Sequence, residues 1–215
     1  MPGPLSSANV VVGLYGKLPA RGDFVRAGLP RDFTDRWDDW LQSVIAGSRT
    51  LMGDSWLPAF LEAPVWRFSL PPGMCGERAV LGLMLPSVDK AGRYFPLTFA
   101  ALGIGGIAAE SIAGNAWLDR CEEAGRAALE QDRPPQDVSD MLGLPDLSDE
   151  VTKLDAGVWW SEGSARVKPS RIMLHRLPEA AAFAAMLGAE ATGTDTPSED
   201  PRREAPRETT WESAS

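Results

Sequence analysis

Three apolar segments follow one another between Val65 and Leu102 with almost no chain between them. The first, residues 65–70, lies in "PVWRFSLP"; the second, 79–85, follows the turn "PGMCGE"; the third, 94–102, follows "PSVDKAGR". Parallel neighbours would need a crossover of about a dozen residues or more, usually a helix. Turns this short leave only hairpins, so the three segments predict an antiparallel meander.

The flanks supply the rest of a layered fold. Residues 9–15 are apolar, rich in β-branched side chains, and end at Gly16, which reads as a buried strand. After a polar loop, "KLPARGDF", the residues Phe33, Trp37, Trp40, Leu41 and Val44 recur on one face of a helix. Pro30 and Asp32 suit its start and Gly47 its stop. A second aromatic patch follows at Trp56 and Phe60. Gly103, Gly105 and Gly106 end the meander, and a helix is expected over residues 108–131. Its buried stripe is Ala113, Trp117, Cys121, Ala124 and Ala128, and Pro134 and Pro135 stop it. "GVWWSEG" and "RIMLHRL" read as further strands, and residues 179–187 as a closing helix rich in alanine.

The expected fold class is therefore α/β. One domain, residues 1–187 with order from about residue 11, holds a mixed, mostly antiparallel sheet flanked by helices on its faces. Residues 188–215 differ in kind: seven carboxylates stand against three arginines, and Trp211 is the one aromatic. So little apolar surface cannot offset the entropy of ordering, so this acidic tail is expected to be disordered.

Charge and composition narrow the partners. A net charge of −9 argues against nucleic acid and against an anionic membrane surface, both of which call for excess Lys and Arg. No apolar run approaches the ~20 residues of a spanning helix, so no membrane insertion is expected. The start, "MPGPLSSANV", has neither a basic nor an apolar signal region, so the cytoplasm is the expected compartment. There Cys75 and Cys121 should stay reduced, as small apolar packing residues.

Several chemical motifs fail on inspection. A P-loop needs glycine at Val11 and a hydroxyl at Leu18, next to Gly16 and Lys17. "GIGGIA", residues 103–108, matches the loose dinucleotide pattern. The acidic residues that should close a parallel βαβ unit, Glu122 and Glu123, fall inside the following helix. The single histidine, His175, is placed in an apolar strand and read as structural; one imidazole cannot supply both a triad and a metal site. No metal and no cofactor are expected.

Two polar clusters survive: Lys17, Arg21 and Asp23 after the first strand, and Ser87, Asp89 and Arg93 before "YFPLTF". Pro86-Ser87-x-Asp89 is good turn chemistry, and Asp paired with Arg can brace a loop. Alternatively, both loops converge as a recognition site for a protein or an anion. In that second case a small hydrolase or ligand-binding domain would use the Arg21/Asp23 and Asp89/Arg93 loops.

"GLYGKLPARGDFV", "DRWDDWL", "APVWRFSLPPGMCG" and "LPSVDKAGRYFPLTF", in that order, resemble the TagF/ImpM family associated with bacterial type VI secretion. The likeness is close over residues 11–102 and looser to about 187. It implies a bacterial accessory protein that represses secretion after translation by binding the forkhead-associated scaffold protein of the apparatus. It implies no catalytic residues, and it leaves the oligomeric state unknown.

Overall fold

The computed structural model describes residues 10–19, 21–104, 112–131, 133–145 and 154–189. Among them, β1 (Val11–Gly16), β2 (Val25–Ala27), β3 (Trp66–Leu70), β4 (Val80–Leu85), β5 (Leu97–Leu102), β6 (Gly157–Ser161) and β7 (Ser170–Leu174) form one sheet. Its order is β2-β1-β5-β4-β3-β6-β7, and every neighbouring pair is antiparallel. The meander read from the sequence is the β3-β4-β5 core. Its third strand starts later than expected, at Leu97, because residues 88 and 94 close a separate bridge over the preceding loop.

Every residue of β3, β4 and β5 is buried, so both faces of the sheet need cover. Side-chain alternation assigns the faces: Val80 and Met84 join one core, Leu81, Leu83 and Leu85 the other. The first core lies under α1 (Arg31–Met52), α2 (Trp56–Leu61) and α5 (Ala180–Met186). The second lies under α3 (Ile112–Gln131) and α4 (Pro135–Leu142). Trp37 anchors the first. Its ring sits 4.5–6.1 Å from those of Phe33, Trp40, Phe68 and Trp159, and its Nε1–H donates to Thr98 Oγ1 at 2.9 Å. A buried indole that keeps its hydrogen bond secures both its apolar area and its polar edge.

The structure corrects the readings of Gly47 and His175 and adds three details. Gly47 does not stop α1, which runs on to Met52; a Cβ at Gly47 would lie 2.5 Å from Ala180 Cβ, so glycine there lets α5 cross closely. α3 ends at Gln131 ahead of Pro134 and Pro135, as expected, but the two prolines also begin α4, as its N-cap and first residue, where proline's missing N–H costs nothing. β2 follows the loop of residues 17–24 and has no sequence signal; three residues are too few for a period to show. Trp40 packs on the first core beside Trp37 as expected, half-buried, its Nε1–H reaching Pro178 O at 2.7 Å. His175 is exposed in the bend after β7 and not in a buried strand. The expected start of α3, the side chain of Ala113 and the tail from residue 190 lie outside the described residues.

Cys75 and Cys121 are free and buried, and burial pushes both thiols up, Cys75 to about 12. Among the described residues no helix is long and apolar enough to cross a membrane.

Gly47 yields a test of opposite sign to helix propensity. Gly→Ala in an exposed helix interior stabilises by roughly 0.5–1 kcal/mol. At Gly47 the added methyl overpacks α5, so Gly47→Ala should cost about 1–3 kcal/mol in urea unfolding. Adding Ala180→Gly should recover most of that loss. A stabilised Gly47→Ala would show that the two helices can part freely.

Candidate functional site

The site grows from the end of the β1–β5 ladder. Tyr15 pairs with Thr98, so the chain leaving β1 passes beside the chain entering β5. Gly16 makes the approach possible: its φ is 141°, and a Cβ would lie 2.2 Å from Pro96 O. The loops holding the two polar clusters therefore run side by side.

Asp89 organises both. Its Oδ1 accepts the backbone N–H groups of Ala91 and Arg93, each at 2.9 Å, which fixes its own turn. Gly92, at φ 77°, donates its N–H to Asp89 O at 2.9 Å and lets that turn close. Oδ2 accepts Lys17 Nζ at 2.5 Å from across the loops and Arg93 Nε at 2.7 Å. Arg93 Nη2 goes on to Gly22 O. Ser87 Oγ donates to Lys17 O at 2.7 Å, and Lys90 N to Arg21 O at 3.2 Å. Asp89 is 3% exposed and Lys17 4%, so an ion pair between distant parts of the chain sits out of water.

Burial alone would raise the Asp89 pKa. The hydrogen bonds from Lys17, the Arg93 backbone and guanidinium, and the Ala91 backbone outweigh it and hold the carboxyl well below the usual carboxylate range. A carboxylate with four donors is a poor proton acceptor. Its chemistry is to hold two loops in register.

The six residues singled out in the sequence divide accordingly. Lys17, Ser87, Asp89 and Arg93 come together through side chains. Arg21 joins by its backbone only; its exposed guanidinium makes no hydrogen bond or ion pair among the described residues. Asp23 is exposed and likewise bonds to none of them.

Sequence reasoning missed Phe24. Its ring carries Lys17 Nζ 4.5 Å from the centroid, stacks on Tyr15 and meets Phe95 edge-on, and it remains 43% exposed. The available signal was its place directly after "ARGD". Arg67 was also missed, a cation inside the wholly buried β3. It bonds to Asp119 at 2.7 Å and Glu122 at 3.0 Å on α3, carboxylates spaced one helical turn apart. Among the described residues no group of His, Cys, Asp and Glu could hold a metal ion. β5 is antiparallel to both neighbours, so the glycines from Gly103 onward do not follow a parallel βαβ strand.

Two measurements test the pair. Asp89→Asn keeps the turn acceptor but strands the Lys17 ammonium, and its melting temperature should fall by on the order of 10 °C. Adding Lys17→Met should restore much of that, since the apolar side chain no longer needs a partner. The pH dependence has a fixed sign. A depressed carboxyl contributes stability that is fully present above the unfolded pKa and fades as pH falls through the folded one. The gap between wild type and Asp89→Asn should be level from about pH 5 to 8 and shrink only below about pH 4. A gap that closes near neutrality would rule out Asp89 as its source.

Comparison with known proteins places this geometry. The family model described as TagF N-terminal domain, Type VI secretion system-associated, matches residues 13–143, which include all six residues above. Among solved structures, PA0076 from Pseudomonas aeruginosa PAO1 is similar at 33% identity and a TM-score of 0.71. The likeness covers 84% of this chain and 95% of that one. No curated protein matches the chain. A family match over more than half of the sequence, with the strand ladder and the ion-paired loops inside it, means that this chain belongs to the TagF N-terminal domain family of type VI secretion system-associated proteins.

Proposed function

We propose that this type VI secretion-associated protein is a non-enzymatic, cytoplasmic repressor of secretion that acts after translation. It works by binding the forkhead-associated scaffold protein of the apparatus. The observation that carries this reading is how the ionic groups of the family's signature loops are used. Asp89 is saturated by four donors and Lys17 is spent on it, so this buried pair offers neither a free base nor a free ammonium. Such a junction holds the outer loop surface, with Arg21, Phe24 and Lys90 exposed, in one shape. A fixed, partly aromatic surface suits protein recognition. The lone histidine, exposed beyond β7, lies in another part of the chain from these loops.

Retention of the scaffold on the tagged protein, from cells that carry the apparatus, is the test. Wild type should retain it. Arg21→Glu should leave the melting temperature unchanged and weaken retention by on the order of tenfold, as expected for a charge reversed at an interface. Failure of the wild type to retain scaffold that is demonstrably present would overturn the reading.

A further inference from the structure

Next to the braced loop, α1, α2 and residues 92–95 enclose a groove of about 740 Å³. Its lining includes no carboxylate, in a chain with 30 acidic residues against 21 basic ones. Arg49 supplies its unpaired charge, Arg93, already paired with Asp89, adds its remaining Nη1, and Ile45, Trp56, Leu57 and Tyr94 give its apolar surface. Arg49 lies over the Trp56 indole, 4.1 Å from the centroid, and makes no ion pair among the described residues. Leu57 is 37% exposed. Cations on an aromatic and aliphatic floor suit a segment that carries carboxylates around one large apolar side chain.

The chain itself contains such a segment. Residues 190–215 hold seven carboxylates, three arginines and one aromatic, Trp211, with Glu208 and Glu212 close by in sequence. The tether leaves from the same layer as the groove. Leu187, just past α5, shares an apolar pocket with Phe60 of α2, and the Phe60 ring is 6.2 Å from that of Tyr94. The stretch from Ala189 to Trp211 can span up to about 70 Å when extended, far more than a small domain requires. Tethering gives an effective concentration on the order of millimolar, so a weak contact is enough.

We propose that residues 190–215 dock in this groove in cis, through carboxylates on Arg49 and Arg93 and Trp211 on the apolar floor. Any acidic segment of another protein that uses the groove must then displace the tail. The proposal stands apart from the identity of the scaffold partner.

Cross-linking in the full-length chain tests it. The native thiols are buried, so cysteines introduced by Ala46→Cys, exposed on the groove, and Ser213→Cys report alone. A short bismaleimide should join them within one chain, with the yield falling steeply as salt rises. Arg49→Glu and Trp211→Ala should each lower the yield by on the order of fivefold. Arg49→Glu combined with Glu208→Arg and Glu212→Arg should restore it. Arg49→Gln, which leaves no repelling charge, serves where Arg49→Glu disturbs Trp56, and it should lower the yield less. A yield insensitive to Arg49 and Trp211, or cross-links mainly between two chains, would overturn docking in cis.

Discussion

The antiparallel pairing of β1 with β5 is the contact on which the rest of the molecule depends. It joins residues 83 to 91 positions apart, from Tyr15 with Thr98 to Val11 with Leu102, and extends the β3-β4-β5 meander to β1, the strand on which β2 then pairs. The same register sets Tyr15 opposite Thr98, the residue that receives the Trp37 indole N–H from α1. One ladder therefore positions both the sheet centre and the main aromatic core. Where it runs out, at Gly16 and Pro96, the two signature loops have to meet.

Their meeting is ionic for a reason that stability alone does not supply. A buried ion pair often adds little over an apolar pair of similar shape, because desolvation offsets the attraction. What it adds here is discrimination between registers. Leu18, beside Lys17, is 1% exposed in the apolar core under α3 and α4. A slip of one residue would exchange the two, burying an ammonium among leucines and leaving Asp89 facing an aliphatic chain. Apolar side chains at these places would tolerate the slip far better. The four donors on Asp89 keep the correct arrangement from being penalised for its burial.

The parts of this design that were legible in the sequence are those written in local patterns. Strand spacing revealed the meander, and helical periodicity revealed α1, because short-range geometry dictates both. The charged members of the site stood out as polar residues next to apolar strands. Their partners did not. Nothing local says that Asp89 takes Lys17 from the other loop while Arg21 offers only its carbonyl, since that choice follows from the β1–β5 register. Gly47 failed for the same reason: the cause of the glycine is Ala180, on another helix. Pro134 and Pro135 were legible as following the end of α3 but not as the start of α4, because proline marks the beginning of a helix as readily as the end of one.

Stability and recognition meet in Arg93. Its Nε and Nη2 are tied to Asp89 and Gly22, while its neighbours Gly92, Tyr94 and Phe95 form one wall of the groove beside α1. The brace that fixes the loops thus also fixes that wall. A substitution at Asp89 or Lys17 must change the groove and the fold together, so lost binding in such a variant does not identify a contact residue. Arg49 differs. It lies on the last turn of a 22-residue helix, and its guanidinium rests on Trp56 rather than in the ion-paired cluster. A change there alters the charge of the groove while the brace stays whole, which makes Arg49 the position from which recognition can be read apart from folding.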